Sequence, residues 1–238
     1  MKFENTEVWG FKHALRGMRN PKNSWHKNDS YICDMCEVEN MNPGFCDSEC
    51  CFVIGENDMK LAQTLIKAGS EHRKFMRQIF VSVDITAPLY WWKEFDTYKV
   101  GTVANSTSTM HKITSQPITL DCFEIDDYEK DLKCLETYDS DIEVDYSTVD
   151  FEVYKFINLL ENLRQKYLET KDKKYWKELI RWLPESWLQK RTITMNYENV
   201  RNIYFQRKNH KLTEWSESFI KWIESLPYAE ELIMYDGK

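Results

Sequence analysis

The chain has 238 residues, of which 42% are hydrophobic and 14% aromatic, and its formal net charge is −7. This composition excludes a disordered chain and allows one large hydrophobic core. No stretch approaches the roughly 18 consecutive apolar residues of a membrane-spanning helix, and the N-terminus lacks the apolar run of a secretory signal. We therefore expect a single domain over residues 1–238 in a cytoplasmic protein with no membrane partner.

The predicted elements of the first half alternate between helix and strand. Residues 58–68 carry apolar side chains at helical spacing, with Asp58 as the predicted N-cap. Residues 79–85 alternate apolar and polar side chains, which predicts a half-buried strand. Pro88 is then expected early in a second helix, and the Thr-, Ser- and Val-rich residues 99–112 favour strand and loop over helix.

The acidic residues are concentrated in one segment of the chain. Residues 121–150 hold 12 acidic side chains against Lys130 and Lys133, a net charge of −10 that leaves +3 on the rest. Such a run is typical of a solvated insertion or loop. The nearly balanced remainder can still hold an anionic nucleotide, whereas the −10 segment disfavours nucleic acid as a partner.

The second half is predicted to be mostly helical. Residues 154–167 have apolar and aromatic side chains at steps of three or four, and Asp172 is the predicted N-cap of a helix that ends before Pro184. Two further helices are expected at residues 196–207 and at about 213–226. Strands and helices followed by helices predict an α+β fold with a central sheet, flanking helices and a mostly helical C-terminal half.

The predicted helix 196–207 combines polar and apolar side chains on one face. A stripe runs from Asn196 to Arg207 through two apolar residues, and Asn202 belongs to the polar flank beside it. A buried Asn or Arg is costly unless it is paired, so this mixture indicates a partly buried polar pocket. The alternative is a helix packed through its apolar residues, with Arg207 extending to water.

Four cysteines have the spacing of a metal site. They follow the pattern Cys-x2-Cys-x9-Cys-x3-Cys, at Cys33, Cys36, Cys46 and Cys50. Thiolates separated by two residues can share one tetrahedral Zn²⁺, because the short loop lets both sulfurs face the same point. Two alternatives stay open, a small structural zinc site in a Cys-rich insertion at about 30–52 and free thiols in a reducing cytosol.

The order of elements from residue 177 to residue 226 resembles the C-terminal half of flavin-dependent thymidylate synthases. In that family a Leu-Pro pair precedes a Thr-containing segment and a helix that opens with Asn and closes on Arg. The matching residues are Leu183, Pro184, Thr194, Asn196, Asn202 and Arg207. The likeness covers most of residues 10–226, apart from the Cys-rich and acidic insertions.

The resemblance implies a role for each matching residue. Arg207 takes the place of the Arg that hydrogen-bonds and polarises the uracil ring, a role that suits the two parallel donors of a guanidinium. Asn196 and Asn202 take positions on the flavin side. His210 and Arg181 each stand one position out of register with family residues that contact the flavin and the nucleotide phosphate.

The family's signature motif, RHRxxSxNExSxR, corresponds to residues 97–109 in an eroded form. Lys99 keeps one positive charge where the family has Arg, and Thr102 and Thr107 keep hydroxyls in place of Ser. Each charge-assisted hydrogen bond that is lost removes about 1.5–3 kcal/mol of ligand binding. Other cations that could replace the missing ones are Lys93, Lys112, Arg73 and Arg77.

Two functions follow from the resemblance. The first is a methyltransferase reaction in a homotetramer, methylene transfer from methylenetetrahydrofolate to the pyrimidine nucleotide dUMP with reduced FAD, which NADPH regenerates. The alternative is a catalytically degenerate descendant that binds a nucleotide or a protein and carries a structural zinc site. A zinc-bearing nucleic-acid binder is a third class, which the −10 segment disfavours.

Overall fold

The structure, a computed structural model, describes residues 1–32, 52–126, 128–134 and 147–237. Its strands are β1 Lys2–Trp9, β2 Tyr31–Ile32, β3 Phe52–Val53, β4 Phe80–Pro88, β5 Val103–Ser106 and β6 Leu188–Asn196. Its α-helices are α1 Phe11–Met18, α2 Glu56–Lys67, α3 Leu89–Phe95, α4 Thr109–Lys112, α5 Val149–Thr170, α6 Lys173–Arg181, α7 Tyr197–Arg207 and α8 Ile220–Glu224. Short 3₁₀ turns lie at Asn20–Lys22, Trp25–Lys27, Lys74–Gln78 and Leu120–Cys122, and π-helical turns at Glu214–Phe219 and Ala229–Ile233.

The central sheet has four strands in the order β1-β4-β6-β5. The predicted strand at residues 79–85 is confirmed as β4, whose side chains alternate between the core and half-exposed positions. A separate antiparallel pair, β2 and β3, places Tyr31 opposite Val53. The expected α+β fold, with a central sheet and flanking helices, is therefore confirmed.

The second half is less uniformly helical than the sequence suggested. Residues 188–196, which follow the Leu-Pro break, form β6 and occupy an inner position of the sheet between β4 and β5. Ile193 and Met195 are fully buried, whereas Thr192 is exposed and Thr194 is half-buried, so this part of the strand has the period of two typical of a sheet.

Two helix starts differ from the predictions. The helix predicted from Asp58 begins at Glu56, with Gly55 rather than Asp58 as its N-cap. Asp58 is completely buried and accepts a hydrogen bond from Nε of Arg19 at 2.5 Å, so its carboxylate is used inside the fold. Pro88 is the last residue of β4, and α3 begins at the next residue.

The chain divides into two compact units. The first comprises Met1–Ile85, Asp96–Asn105 and Arg191–Lys238, and the second comprises Thr86–Phe95 and Ser106–Lys190. In the first unit, fully buried side chains from the strands and the C-terminal helices form the core, among them Val81, Val83, Ile85, Ile193, Met195, Val200, Ile203, Trp215, Phe219 and Ile223. Among the residues that the structure describes, no helix combines the length and apolar character needed to cross a membrane.

The second unit is built on the helices α5 and α6. Thr148 and Asp172 cap these helices, each accepting a hydrogen bond from a backbone N–H of the first turn, and the predicted cap at Asp172 is confirmed. Its core consists of Ile113, Ile118, Phe123, Ile157, Leu160 and Leu179. Residues 127 and 135–146 of the predicted acidic insertion lie outside the described residues.

Candidate functional site

Helix α7 starts directly where β6 ends. The side chain of Asn196 caps the helix, because its Oδ1 accepts a hydrogen bond from the backbone N–H of Asn199 at 3.0 Å. Val200 and Ile203 are fully buried and hold one face of the helix on the core. The polar side chains of the opposite flank are therefore free to face a cavity.

The buried side chain of Arg201 fixes the position of α7 against the C-terminal segment. Its Nη1 donates to the carbonyl oxygens of Ile233 at 2.7 Å and Tyr235 at 2.6 Å. Burial, and after it the nearby charge of Arg73, lowers the pKa of this guanidinium below its usual value. The C-terminal segment and α7 are thus joined by hydrogen bonds to a largely buried cation.

A cavity of about 720 Å³ lies beside the start of α7 in the first unit. Four side-chain amides of this helix region line it, those of Asn196, Asn199, Asn202 and Gln206. Each amide offers both hydrogen-bond donors and an acceptor. Such a set can recognise the edge of a flat heterocycle, and the volume is in the range of small-molecule sites.

The cavity wall also carries three cations and one carboxylate. The cations are Arg73, Arg77 and Lys99, and the carboxylate is Glu198. Nε of Arg73 donates to both carboxylate oxygens of Glu198, at 2.8 and 3.1 Å, so this cation is neutralised within the protein. Arg77 and Lys99 are exposed, and they remain to attract the phosphate of an anionic ligand.

The loop of residues 97–101, which opens the eroded motif, lies against the amides of α7. Nδ2 of Asn199 donates to the carbonyl oxygen of Val100 at 2.6 Å and to the hydroxyl of Thr102 at 3.1 Å. Gly101 has a φ of +74°, and a Cβ there would lie 3.0 Å from Nδ2 of Asn199 and 3.1 Å from that of Asn196. The close approach of loop and helix therefore depends on glycine.

Arg207 lies next to the cavity and is held by aromatic side chains. Its Nε donates to the hydroxyl of Tyr98 at 2.8 Å, and its guanidinium carbon is 4.8 Å from the centre of the Trp215 ring. The Tyr98 hydroxyl in turn donates to Oε1 of Gln206 at 3.0 Å. Within the described part of the chain, Tyr98 lines the cavity at this point, and Arg207 is packed on it.

The predicted site residues of the first unit gather in and around this cavity. Asn196, Asn202 and Lys99 line it. Thr102 supports the amide of Asn199, as described above. His210 accepts a hydrogen bond from the backbone N–H of Leu212 and lies edge-on to Trp215, the ring that also contacts Arg207. The substrate and cofactor roles of all these residues remain predictions.

Two other predicted residues belong to the second unit. Arg181 is exposed and forms an ion pair with Glu178 one turn earlier in α6. Thr107 donates from its backbone N–H to the carbonyl oxygen of Lys190 at 2.9 Å and borders a separate cavity of about 520 Å³. The four cysteines proposed as zinc ligands, Cys33, Cys36, Cys46 and Cys50, lie outside the described residues.

Of the four substitute cations considered from the sequence, Arg73 and Arg77 line the cavity. Lys93 pairs with Glu185 and Lys112 borders the cavity of Thr107, both in the second unit. The residue that sequence reasoning missed is Glu198. An acidic residue in the first turn of a helix is ordinary, since it complements the helix dipole, so no pattern marked this carboxylate as part of a ligand cavity.

In residues 1–32, 52–126, 128–134 and 147–237, no group of three or more His, Cys, Asp or Glu side chains is arranged to hold a metal ion. The side chains that line the 720 Å³ cavity are mainly amides and cations.

Comparisons with known proteins agree with this fold. Neither family models nor curated proteins give a match to the sequence. Among solved structures, the flavin-dependent thymidylate synthase ThyX of Helicobacter pylori complexed with FAD and dUMP has a TM-score of 0.64 and 13% identity, covering 99% of this chain and 98% of that one. A second structure of Helicobacter pylori ThyX with FAD and dUMP has a TM-score of 0.65 and 14% identity, covering 100% and 99%. Over nearly its whole length, the chain has the α+β fold of ThyX.

Proposed function

We propose that the chain binds a pyrimidine nucleotide and FAD in the 720 Å³ cavity and transfers a methylene group to dUMP. The observation that carries this proposal is the set of four amides at the start of α7, set beside the two exposed cations Arg77 and Lys99. The same fold in Helicobacter pylori ThyX holds FAD and dUMP. Amides can pair with the polar edges of uracil or flavin, and the cations can attract phosphate.

The amides and cations that line the cavity are of the chemical types that can bind the ring system and the diphosphate of FAD. Asn196 and Asn202 would face the ring system, and Lys99 would approach the diphosphate. When bound and reduced, FAD supplies the reducing equivalents for the transfer to dUMP. The protein's own contribution is to bind, orient and exclude water, which the amides and the ordered loop 97–101 can provide.

Arg207 would act on the pyrimidine together with Tyr98. A guanidinium carries five N–H donors in a fixed planar arrangement and stays charged at any working pH, which suits it to hydrogen-bond a pyrimidine ring. Its packing on Trp215 limits its motion, so a small shift of Tyr98 would bring a preorganised cation to the nucleotide. NADPH as reductant, a homotetrameric assembly and a cytoplasmic location are parts of the same proposal.

A second candidate is a catalytically degenerate protein that binds a nucleotide without methylene transfer. Two contacts favour it. Arg73 is neutralised by Glu198, and Arg207 is engaged by Tyr98, so two cations of the site region have partners within the protein. Cations that keep these partners contribute less to ligand binding, which would weaken affinity without removing the cavity.

The absorption spectrum of the untreated purified protein, followed by NADPH oxidation with and without dUMP and methylenetetrahydrofolate, separates the two candidates. A yellow protein that forms dTMP and consumes NADPH only with dUMP present supports the enzyme. A protein that binds dUMP in calorimetry but forms no dTMP after addition of FAD supports the second candidate. Absence of both flavin and dUMP binding would overturn the assignment of this cavity.

A further inference from the structure

A second cavity in the first unit is lined by cationic and aromatic side chains, and the proposed function does not use it. This α1 pocket, of about 350 Å³, is formed by Lys12, Arg16, Arg19, Trp25, Tyr31 and their neighbours on α1, the Trp25–Lys27 turn and the β2–β3 pair. None of these residues lines the 720 Å³ cavity. The pocket therefore has its own set of binding groups.

Helix α1 and the turns that follow it carry a charge opposite in sign to that of the whole protein. Residues 11–28 contain five Lys or Arg residues and no Asp or Glu, in a chain of net charge −7. Lys12, Arg16 and Arg19 follow one another at steps of four and three, so they lie along one side of α1 and its C-terminal turn. Lys12 and Arg16 are exposed, and their charges create a positive potential at the pocket.

The inner end of the pocket holds a guanidinium with an unsatisfied donor. Arg19 is only 4% exposed, and its Nε donates to Oδ1 of Asp58 at 2.5 Å while Nη1 reaches the carbonyl oxygen of Ser24 at 3.5 Å. Its Nη2 is shielded from water and has no hydrogen-bond partner among the described residues. Buried donors are almost always paired, so this N–H is an unusual unsatisfied group among the described residues of the pocket wall.

Asp58 is hydrogen-bonded to several other groups that surround the pocket. Besides Nε of Arg19, it accepts hydrogen bonds from Nδ2 of Asn28 at 2.7 Å and from the hydroxyl of Ser30 at 2.6 Å. Its negative charge is thus paired with Arg19, and its hydrogen bonds stabilise the floor of the pocket. The charges of Lys12 and Arg16 at the rim are not offset by this buried carboxylate.

Two exposed aromatic rings complete the pocket. Trp25 is 47% exposed and Tyr31 is 56% exposed, large values for side chains that usually bury their rings. Nε1 of Trp25 donates to Oδ1 of Asn20 at 2.8 Å, which holds the indole in one orientation. An ordered exposed indole beside cations is a stacking surface for a nucleobase.

We propose that the α1 pocket is a second binding site, for a free mononucleotide. The phosphate contacts Lys12 and Arg16, and the base stacks on the exposed indole of Trp25. A volume of about 350 Å³ lies at the small end of ligand sites and suits one nucleotide rather than a dinucleotide. The 720 Å³ cavity is called the amide cavity from here on, after the four amides of α7 and its N-cap that line it. A regulatory or storage role would follow from a nucleotide site that is separate from the amide cavity.

The test is calorimetric titration of the full chain with AMP, a probe that the proposed thymidylate chemistry does not require. We expect the wild type to bind AMP and the double variant Lys12→Gln/Arg16→Gln to bind it at least about tenfold more weakly, since two charge-assisted contacts are lost. Trp25→Ala should weaken AMP about tenfold, and Trp25→Phe should retain most of the affinity because a ring remains for stacking.

The matched control is Lys22→Gln/Lys27→Gln, which removes the same charge from the same basic segment without touching the pocket lining. It should keep wild-type AMP affinity, and so should Arg77→Gln in the other cavity. No binding of AMP, equal losses in both double variants, or loss in Arg77→Gln would each overturn the proposal. Tighter binding of a single-stranded oligonucleotide than of AMP would also overturn it, in favour of nucleic acid. Failure of dUMP or FAD to bind concerns only the amide cavity.

Discussion

Arg73 and Glu198 form an ion pair on the wall of the amide cavity, with Nε of Arg73 2.8 Å from one carboxylate oxygen and 3.1 Å from the other. Their side chains are 17% and 6% exposed, so the pair is largely shielded from water. A carboxylate in this position repels an anionic ligand and also occupies a cation that would attract one. In the proposed function, the affinity for a phosphate group would therefore depend on this pair as well as on the exposed cations Arg77 and Lys99.

We expect Glu198→Gln to bind dUMP roughly tenfold more tightly than the wild type, because one negative charge leaves a cavity that keeps all three cations. The same change should lower the free energy of unfolding by about 1–3 kcal/mol, since Arg73 loses its charged partner. Calorimetry and urea denaturation measure the two effects. Glu178→Gln, which removes a charge from the second unit, is the control, and unchanged or weaker dUMP binding in Glu198→Gln would contradict the expectation.

Arg207→Ala should abolish binding of dUMP while leaving the oligomer size unchanged, since the guanidinium is held beside the cavity by Tyr98 and Trp215. Calorimetry gives the affinity, and light scattering gives the mass. Lys208→Ala removes the neighbouring, exposed cation and should have little effect on dUMP. Equal dUMP affinities for Arg207→Ala and the wild type would remove Arg207 from its proposed role.

Gly101→Ala is expected to weaken dUMP or FAD binding, because the added Cβ would press on the amides of Asn199 and Asn196. Gly69→Ala is the matched control, since its φ is +108° but no atom lies within 4 Å of the added Cβ. Both variants should lose about 1–2 kcal/mol of stability from backbone strain. Only Gly101→Ala should change ligand affinity in calorimetry, and a parallel loss in Gly69→Ala would show that strain alone is responsible.

The helices and strands with a clear periodic pattern of apolar side chains could be predicted from the sequence. Alternation in residues 79–85 marked β4, and Asn196 was recognised as the opening of the helix that became α7. β1 was missed because none of its eight side chains is fully buried, so it shows no alternation between core and solvent. β6 was missed because it contains few apolar residues and begins with several long hydrophilic side chains. Ile193 and Met195 nevertheless have the spacing of a strand.

The amides and cations of the cavity were partly predictable, whereas the contacts between distant residues were not. Asn196 followed from the mixed stripe of one helix and Asn202 from the polar flank beside it, both local properties of the sequence. The pairing of Arg73 with Glu198 joins residues 125 positions apart, and the contact of Tyr98 with Arg207 joins residues 109 apart. Spacing along the chain carries no information on such contacts, because they arise only when the loop and the helix pack together.

The zinc proposal predicts close to one Zn²⁺ per chain in protein purified without chelator. Cys33→Ser or Cys46→Ser should lose this metal, because a structural site needs all four ligands. Cys122→Ser is the control, since Cys122 is a free cysteine of the second unit. Elemental analysis by mass spectrometry decides the matter, and metal-free wild-type protein would reject the zinc site.

The stability of the second unit should depend on pH through Glu161. Its carboxylate accepts two hydrogen bonds from the buried Arg164 and one from the backbone N–H of Ile118, and these contacts lower its pKa from 4.5 to about 2. Because the folded pKa is the lower one, the stabilisation is complete above pH 4.5 and is lost as the pH falls towards 2. The shift corresponds to about 3 kcal/mol at neutral pH.

Glu161→Gln should therefore be less stable than the wild type at pH 7 by about 3 kcal/mol, and the difference should narrow at pH 3, where the wild type has lost part of this contribution. Urea denaturation at the two pH values measures it. The control is Glu169→Gln, whose carboxylate is 60% exposed in a surface pair with Lys166 and should matter little at either pH. A gap between Glu161→Gln and the wild type that is as wide at pH 3 as at pH 7 would mean that packing around residue 161, and not its charge, holds α5 to the segment at Ile118.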